Sequence, residues 1–392
     1  MHNEARFYGL GIAPQLLETL EKLKYITPTP IQQQAIPHAI EGKDVMGIAQ
    51  TGTGKTLAFG VPMIQRLAQS DGIGLVILPT RELAVQVDET LRKLTQKGTA
   101  VLIGGASQEK QVGALRKNPR IIIGTPGRMN DLIQQGILKL SRVKILVLDE
   151  ADRMFDMGFA PQIKRILQVI PTDRQTMLFS ATIPNEIVGL ISKYMKLPVR
   201  VEIARSGTAA ETIVQELYVV SHHDKLRLLE KLLQDYHGTV LVFSRTKHGA
   251  KKICRAIRSM GHGAAELHSN LSFNQRSRSM EGFRSGAYRI LVATDIAARG
   301  IDVSNIELVI NFDVPEHAGD YVHRIGRTGR AGAKGRAITF ASPDQSREVR
   351  DIQKLIRTWI PIAKLPDLPP ARAIPQTSER PKPFHRRYTP KR

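Results

Sequence analysis

The residues AQTGTGKT, Ala49 to Thr56, follow the apolar run Val45-Met46-Gly47-Ile48 and lead into Leu57-Ala58-Phe59-Gly60-Val61. A strand, a glycine loop and a helix start in that order leave backbone N–H groups converging at a helix N-terminus, where partial positive charge gathers. A polyphosphate fits such a space. Ala49, Gln50, Thr51, Gly52, Thr53 and Gly54 would surround it, Lys55 would reach the β and γ phosphates, and Thr56 would set its hydroxyl on a bridging Mg²⁺. The generic pattern opens with Gly where this chain has Ala49.

A second group of chemically capable residues lies about a hundred positions on. The apolar run Lys144-Ile145-Leu146-Val147-Leu148 ends in DEAD, Asp149 to Asp152. Two carboxylates at a strand end, with a phosphate loop upstream, supply what phosphoanhydride hydrolysis needs. Asp149 would hold the Mg²⁺ shell, and Glu150 would orient or deprotonate the attacking water. A further strand, Gln175 to Phe179, ends in SAT, and Ser180 and Thr182 could bridge the carboxylates to something beyond them. Late in the chain comes HRIGRTGR, His323 to Arg330, with Arg324, Arg327 and Arg330 at every third position. An arginine series is usually a solvated face. Here glycines interleave it, and arginines brought across a cleft stabilise the charge of a transferred phosphoryl group, so Arg327 and Arg330 are assigned that role.

These groups need elements to position them. Apolar strands at Gly74–Leu78, Ala100–Ile103 and Arg120–Ile123 each stop at a polar cluster: PTRELA (Pro79, Thr80, Arg81), Gly104-Gly105, and GTPGR (Thr125, Gly127, Arg128). In an open parallel sheet the carboxyl ends of the strands share one edge, where ligands bind. Backbone N–H groups and the Thr and Arg side chains could line up there along a sugar-phosphate backbone. Past Tyr194 the pattern weakens, and ARSGTAAET, Ala204 to Thr212, has the composition of a linker. A second alternating series follows. Val240–Phe243 ends in SRT, Ile290–Ala293 in TDIAARGID, and Leu308–Ile310 in NFDVP. The fold class is therefore α/β with two parallel sheets in tandem. At the front, a helix near Pro14–Leu23 is broken by KYITPTPIQ. That proline turn presents Tyr25, Thr27 and Gln32, whose amide could read an adenine edge.

Length, charge and cysteine content narrow the class further. At 392 residues two domains are expected, and no run of about 18 apolar residues or signal pattern is present. Cys254 is the sole cysteine, which excludes an internal disulfide and suits a reducing cytoplasm. A formal net charge of +21 implies a polyanionic partner, most simply nucleic acid. A membrane surface is the competing polyanion, but neither a basic amphipathic helix nor a lipidation signal is visible. The charge divides as +7 over residues 1–204, +8 over 205–370 and +6 over 371–392. The segment 366–392 is proline-rich and expected to be disordered, with Phe384, His385, Arg386, Arg387 and Tyr388 mixing stacking groups with cations as a loose single-strand binder would. An inert solubilising end is the other reading.

With the phosphate loop, DEAD, SAT and HRIGRTGR in this order, the chain resembles a DEAD-box ATP-dependent RNA helicase of superfamily 2 over about residues 5–365. The resemblance implies two RecA-like domains, 1–204 and 213–365, joined by a linker at 205–212, that close on ATP and single-stranded RNA and open short duplexes locally. It assigns Phe7, Tyr25, Thr27 and Gln32, within a segment of about 5–33, to the nucleotide base, and Asp302 to the ribose. It makes Arg327 and Arg330 arginine fingers, and Asp152, Ser180, Thr182 and His323 the coupling between sites. Pro79, Thr80, Arg81, Gly104, Gly105, Thr125, Gly127 and Arg128 match the first domain's RNA groups. Arg245, Gln275, Arg278 and Thr294 match those of the second. Lys24 stands where a Gly commonly precedes the aromatic, and Ser269-Asn270 replaces a common Gly-Asp after His268. Ala49 matches the family's own form of the loop. The near-absence of extensions resembles the small bacterial members, expected to work as cytoplasmic monomers. A DNA helicase and an ATP-gated RNA clamp with little unwinding are the alternatives.

Overall fold

The computed structural model describes residues 6–49, 52–95, 98–203, 213–298, 306–329 and 335–370. Gln50, Thr51, Asp302 and Arg330, the linker 205–212 and the segment 371–392 lie outside the described residues.

Thirteen described strands fall into two sheets. The first contains β1 (Val45–Ile48), β2 (Ile73–Ile77), β3 (Thr99–Leu102), β4 (Ile121–Gly124), β5 (Val143–Asp149), β6 (Gln175–Ser180) and β7 (Val199–Glu202). Its order is β3-β4-β2-β5-β6-β1-β7. The second contains β8 (Ile213–Val219), β9 (Val240–Phe243), β10 (Ala264–Leu267), β11 (Ile290–Ala293), β12 (Leu308–Asn311) and β13 (Gly335–Ala341), in the order β10-β11-β9-β12-β13-β8. Neighbouring strands in both sheets run parallel. The chain adopts two tandem RecA-like α/β units.

Parallel strands are covered on both faces, so their sequences read as continuous apolar runs whose alternate residues enter different cores. Along β5, Ile145 and Val147 enter one cluster, with Phe59, Leu91 and Phe179, while Leu146 and Leu148 enter another, with Met129, Ile163 and Leu190. In β9, Leu241 and Phe243 face one layer and Val240 and Val242 the other.

The runs Val45–Ile48, Val240–Phe243 and Ile290–Ala293 coincide with β1, β9 and β11, and the other expected strands differ by one residue at one end or both. Four strands lack the pattern that would announce them. β7, β8, β10 and β13 carry Arg, Glu or Gln within or beside their apolar positions: β7 and β8 leave residues exposed, as edge strands can, whereas β10 and β13 are buried apart from the half-buried Glu266 and Arg336 that interrupt their apolar runs. β7, β8 and β10 are sheet edges, and β13 lies next to the edge strand β8.

The strand order positions the chemistry. β6 lies between β5 and β1, with Asp149 opposite Phe179 and Ile48 opposite Ser180. The end of β6 is thus placed between the DEAD residues and the phosphate loop. β3, β4 and β2 are consecutive, which gathers Gly104-Gly105, Thr125 and Thr80-Arg81 on one stretch of the same edge.

Candidate active site

The phosphate loop leaves β1 and enters the helix Lys55–Ala68. Gly54 caps that helix at φ 87°, a left-handed conformation that only glycine adopts freely. A Cβ there would strike the Gln32 amide nitrogen. Gln32 Nε2 donates to the Gly54 carbonyl at 2.9 Å, and its Oε1 accepts from the Thr29 backbone at 2.9 Å. The amide expected to read adenine therefore also ties the proline turn to the phosphate loop. Tyr25, Thr27, Gln32, Gly52, Gly54, Lys55, Thr56, Asp149, Glu150 and Arg327 line one cavity of about 340 Å³. Phe7 does not; it is buried in the core of the first unit with Ile12, Leu16 and Ile36. A larger cavity of about 500 Å³ lies by the N-terminal ends of β5 and β6, lined by Lys43, Arg66 and Arg174, and holds none of these residues.

Lys55 is buried, donates to the Ala49 carbonyl at 3.2 Å and stands 3.7 Å from Asp149. Burial pushes the Asp149 carboxyl up to about 6, against the pull of Lys55. A buried, under-neutralised carboxylate that shares a cavity with the half-buried Thr56 is a donor set suited to a hard, mostly hydrated cation. Thr56 and Asp149 therefore fit Mg²⁺ brought in with nucleotide phosphates.

Glu150 adopts φ 53° and ψ 49°, a left-handed conformation that costs a non-glycine residue about 1–2 kcal/mol. The strain joins β5 directly to the short helix Ala151–Asp156, and Glu150 still lines the cavity. Burial alone would raise the Glu150 carboxyl, but Arg153, then Lys55 and Arg327, outweigh it and hold it below the usual carboxylate range. Arg153 Nη1 donates to Glu150 Oε2 at 2.6 Å, with both side chains buried. Sequence reasoning passed over Arg153. Its signal was the i, i+3 spacing from Glu150 at the start of a helix.

Asp152 is hydrogen-bonded to all three SAT residues. Its Oδ2 accepts from the Ala181 and Thr182 backbones at 3.1 and 2.9 Å and from the Thr182 hydroxyl at 3.0 Å. The Asp152 backbone in turn donates to Ser180 Oγ at 3.1 Å. Burial raises the Asp152 carboxyl, while Lys55, His323 and Arg153 outweigh it, for a net downward shift.

The second unit contributes the helix Ala318–Ile325 and the turn after it. His323 and Arg327 meet Arg153 in a small pocket between the units. Burial, reinforced by Arg153, pushes His323 down to about 4. Arg327 is 2% exposed, donates to the His323 carbonyl at 3.2 Å and reaches the nucleotide cavity. Arg324, in the same series, is a structural anchor. Its Nη2 meets Asp295 at 2.7 Å, its Nη1 meets the Asp313 carbonyl at 2.6 Å, and it lies over the Phe243 ring.

On the sheet edges, Thr80 and Thr125 cap the helices Arg81–Leu94 and Pro126–Gln134. Arg81 packs its guanidinium under Gly104 and Gly105, where a Cβ would collide with it, and Gly105 has φ 73°. Gly127 has open space where a side chain would be, and Arg128 Nη1 donates to Gln108 at 2.9 Å. Pro79 is buried at the end of its strand. In the second unit, Arg245 is exposed, with its backbone held by Asp313 at 3.0 Å, and it lines an inter-unit cavity of about 590 Å³ with Thr294, His323 and Thr182. Arg278 is exposed. Gln275 spends its side-chain oxygen on the Ser272 backbone at 2.8 Å in a capping box, leaving its amide nitrogen as the group able to reach a ligand. Arg276, which the sequence did not single out, pairs with Glu82 of the first unit at 3.0 Å.

The described geometry is one cavity at the carboxyl edge of the first sheet, closed by an arginine from the second. The family model for the DEAD/DEAH box helicase matches residues 29–189, and that for the helicase conserved C-terminal domain matches 224–332. The chain is 38% identical over 405 residues to the ATP-dependent rRNA helicase RRP3 of Debaryomyces hansenii, spanning 98% of this chain and 84% of that protein. It is 41% identical over 372 residues to the ATP-dependent RNA helicase CshA of Limosilactobacillus reuteri, spanning 93% and 74%. Among solved structures it is similar to Dbp5 of S. cerevisiae bound to RNA and ADP BeF3, with TM-score 0.82, 30% identity, and coverage of 92% of this chain and 95% of that one. It is also similar to the DEAD-box helicase Mss116 bound to ssRNA and UDP-BeF, with TM-score 0.84 and 26% identity over 91% and 78% of the chains.

Proposed function

From the premise that the chain belongs to the DEAD-box helicase family and is an ATP-dependent RNA helicase, we propose that its ATPase site is split between the two units and completed by RNA-linked closure. The observation that carries this is Arg327, which comes from the second unit yet lines the nucleotide cavity beside Glu150. ATP would lay its phosphates over the start of the helix at Lys55, with Tyr25, Thr27 and Gln32 toward the base. Mg²⁺, held by Thr56 and Asp149, would supply neutralisation of the β and γ phosphates. Glu150 orients the attacking water. Its carboxyl is held low by Arg153, which makes it a weak proton acceptor and favours alignment over full abstraction. Arg327 meets the charge that develops on the transferred phosphoryl.

RNA would run along the carboxyl edges, over Thr80, Arg81, Gly104, Gly105, Thr125, Gly127 and Arg128 and then Arg245, Gln275, Arg278 and Thr294. Contacts of this kind address the sugar-phosphate backbone and leave base sequence unread. The hydrogen bonds joining Asp152, Ser180 and Thr182, with His323 across the interface, are the route by which occupancy of one cleft would favour the other. Asp302 and Arg330 are proposed for ribose and phosphate on the family pattern. The proposed domains are 1–204 and 213–365, with a linker at 205–212 and a basic tail at 366–392. The working form is a monomer, since both halves of the site come from one chain, and the setting is the cytoplasm. Among the described residues no helix is long and apolar enough to cross a membrane.

Glu150→Gln tests the assignment. The variant is expected to lose at least about 10²-fold in RNA-stimulated ATP turnover while retaining ATP-dependent RNA binding. Turnover close to wild type, measured as phosphate release at saturating RNA, would remove Glu150 from the chemistry.

A further inference from the structure

One helix of the second unit departs from the others in its charge. Lys247–Ser259, KHGAKKICRAIRS, carries Lys247, Lys251, Lys252, Arg255 and Arg258 and no Asp or Glu. Its apolar face, Ala250, Ile253, Cys254, Ala256 and Ile257, is buried in the unit. The five cations are exposed. Elsewhere in the same unit other helices carry acids that pair with some of their cations: Lys231 meets Asp235 at 2.8 Å, Arg227 meets Asp224 at 2.6 Å, Arg284 meets Glu281 at 3.7 Å and Lys354 meets Asp351 at 3.8 Å. Among the described residues, none of Lys247, Lys251, Lys252 and Arg255 forms an ion pair.

Position gives this face a meaning. The helix starts two residues after Arg245, at the carboxyl end of β9, so its N-terminus is at the mouth of the proposed RNA path. From there Lys247, Lys251, Arg255 and Arg258 fall at i, i+4, i+8 and i+11, a stripe running about 17 Å down the side of the unit. A row of unneutralised cations continuous with a backbone-reading groove is complementary to a chain carrying one charge per nucleotide. Membrane insertion is disfavoured, because the apolar face is already in the protein core.

We propose that the Lys247–Ser259 helix is an accessory RNA-backbone site that holds the strand leaving the cleft past Arg245. The site rests on RNA passing Arg245, and it contributes affinity for long RNA without touching hydrolysis.

The test compares single-stranded RNA of about 10 nucleotides, the scale of one binding site, with RNA of about 40. The full chain carrying Lys251→Gln, Lys252→Gln and Arg255→Gln is expected to require on the order of tenfold more of the long RNA for half-maximal ATPase, with the short RNA and the maximal rate unaffected. The slope of log affinity against log salt for the long RNA should fall by about 2, three contacts at about 0.7 each. The charge-conserving variant Lys251→Arg, Lys252→Arg, Arg255→Lys should behave as wild type. If the triple variant melts early, Lys251→Glu alone is read in the same way. Equal responses to long and short RNA would overturn the site, as would loss of binding to anionic phospholipid vesicles with RNA affinity unchanged. Absence of stimulation by either RNA in the wild type would instead refute the RNA path itself.

Discussion

At the residue scale, the site is a set of buried charges that are incompletely matched. Asp149 is the clearest case, with its carboxyl at about 6 because burial exceeds the pull of Lys55. Its folded-state pKa lies above the unfolded one. The favourable contribution is therefore complete below the unfolded value and is lost as pH rises through about 6. At neutral pH this carboxylate opposes folding of the nucleotide-free protein. Asp149→Asn should accordingly abolish ATP turnover yet raise stability by about 1–3 kcal/mol at pH 7.5. That gain, read from denaturant midpoints, should shrink as pH falls below 6. A lower midpoint than wild type at pH 7.5 would show that Lys55 needs the carboxylate more than burial penalises it. Arg153 plays the opposite part, with its 2.6 Å contact holding Glu150 ionised.

At the element scale, glycines decide how closely segments approach. Gly54 combines φ 87° with a Cβ direction occupied by Gln32. Gly54→Ala should lower folding stability by about 1–2 kcal/mol and raise the KM for ATP about tenfold or more. Nucleotide titration against thermal unfolding separates these effects. An unchanged KM would mean the proline turn moves freely of the loop. Much of this scale is legible in the chain itself. Strand ends fall at Gly54's loop, at Asp149 and at Ser180 because buried parallel strands are written as apolar runs that stop at polar residues. β7, β8, β10 and β13 were not legible: exposed positions break the pattern in β7 and β8, and a single half-buried Glu266 or Arg336 interrupts the short apolar runs of β10 and β13. Phe7 lies in the first unit's core and not in the cavity lining, a distinction the sequence does not carry, because an aromatic that packs in a core and one that faces a base look the same in sequence.

At the scale of the whole molecule, the two units meet through contacts far apart in sequence. Glu82 and Arg276 lie 3.0 Å apart and half-hidden, though neither Glu82 oxygen is aligned for a hydrogen bond, and Phe273 packs against the first unit's core. Glu82→Arg and Arg276→Glu should each weaken ATP-dependent RNA binding, and the double exchange should restore it, with a coupling of about 0.5–3 kcal/mol. Additive losses would show the pair to be incidental to closure. His323 gives the interface a pH dependence. Burial holds it down to about 4, so the closed form requires neutral imidazole. Its contribution is complete above the unfolded value near 6.5 and is lost as pH falls toward 4. RNA-stimulated turnover should decline over that window, and His323→Gln should flatten the decline. An identical profile in the variant would assign the acid limb to another group.

The sequence alone determined the chemistry of the parts, because a glycine loop before a helix, two carboxylates after an apolar strand and arginines spaced among glycines each depend on residues a few positions apart. Only the tertiary structure decided how those parts combine. The order β5-β6-β1 inserts Ser180 and Thr182 between Asp152 and the phosphate loop. Packing separates Arg327, which reaches the nucleotide cavity, from Arg324, which Asp295 holds in place. Local spacing specifies a strand, a loop or a cap, but strand order and burial are settled by the long-range packing of surfaces that no local pattern records.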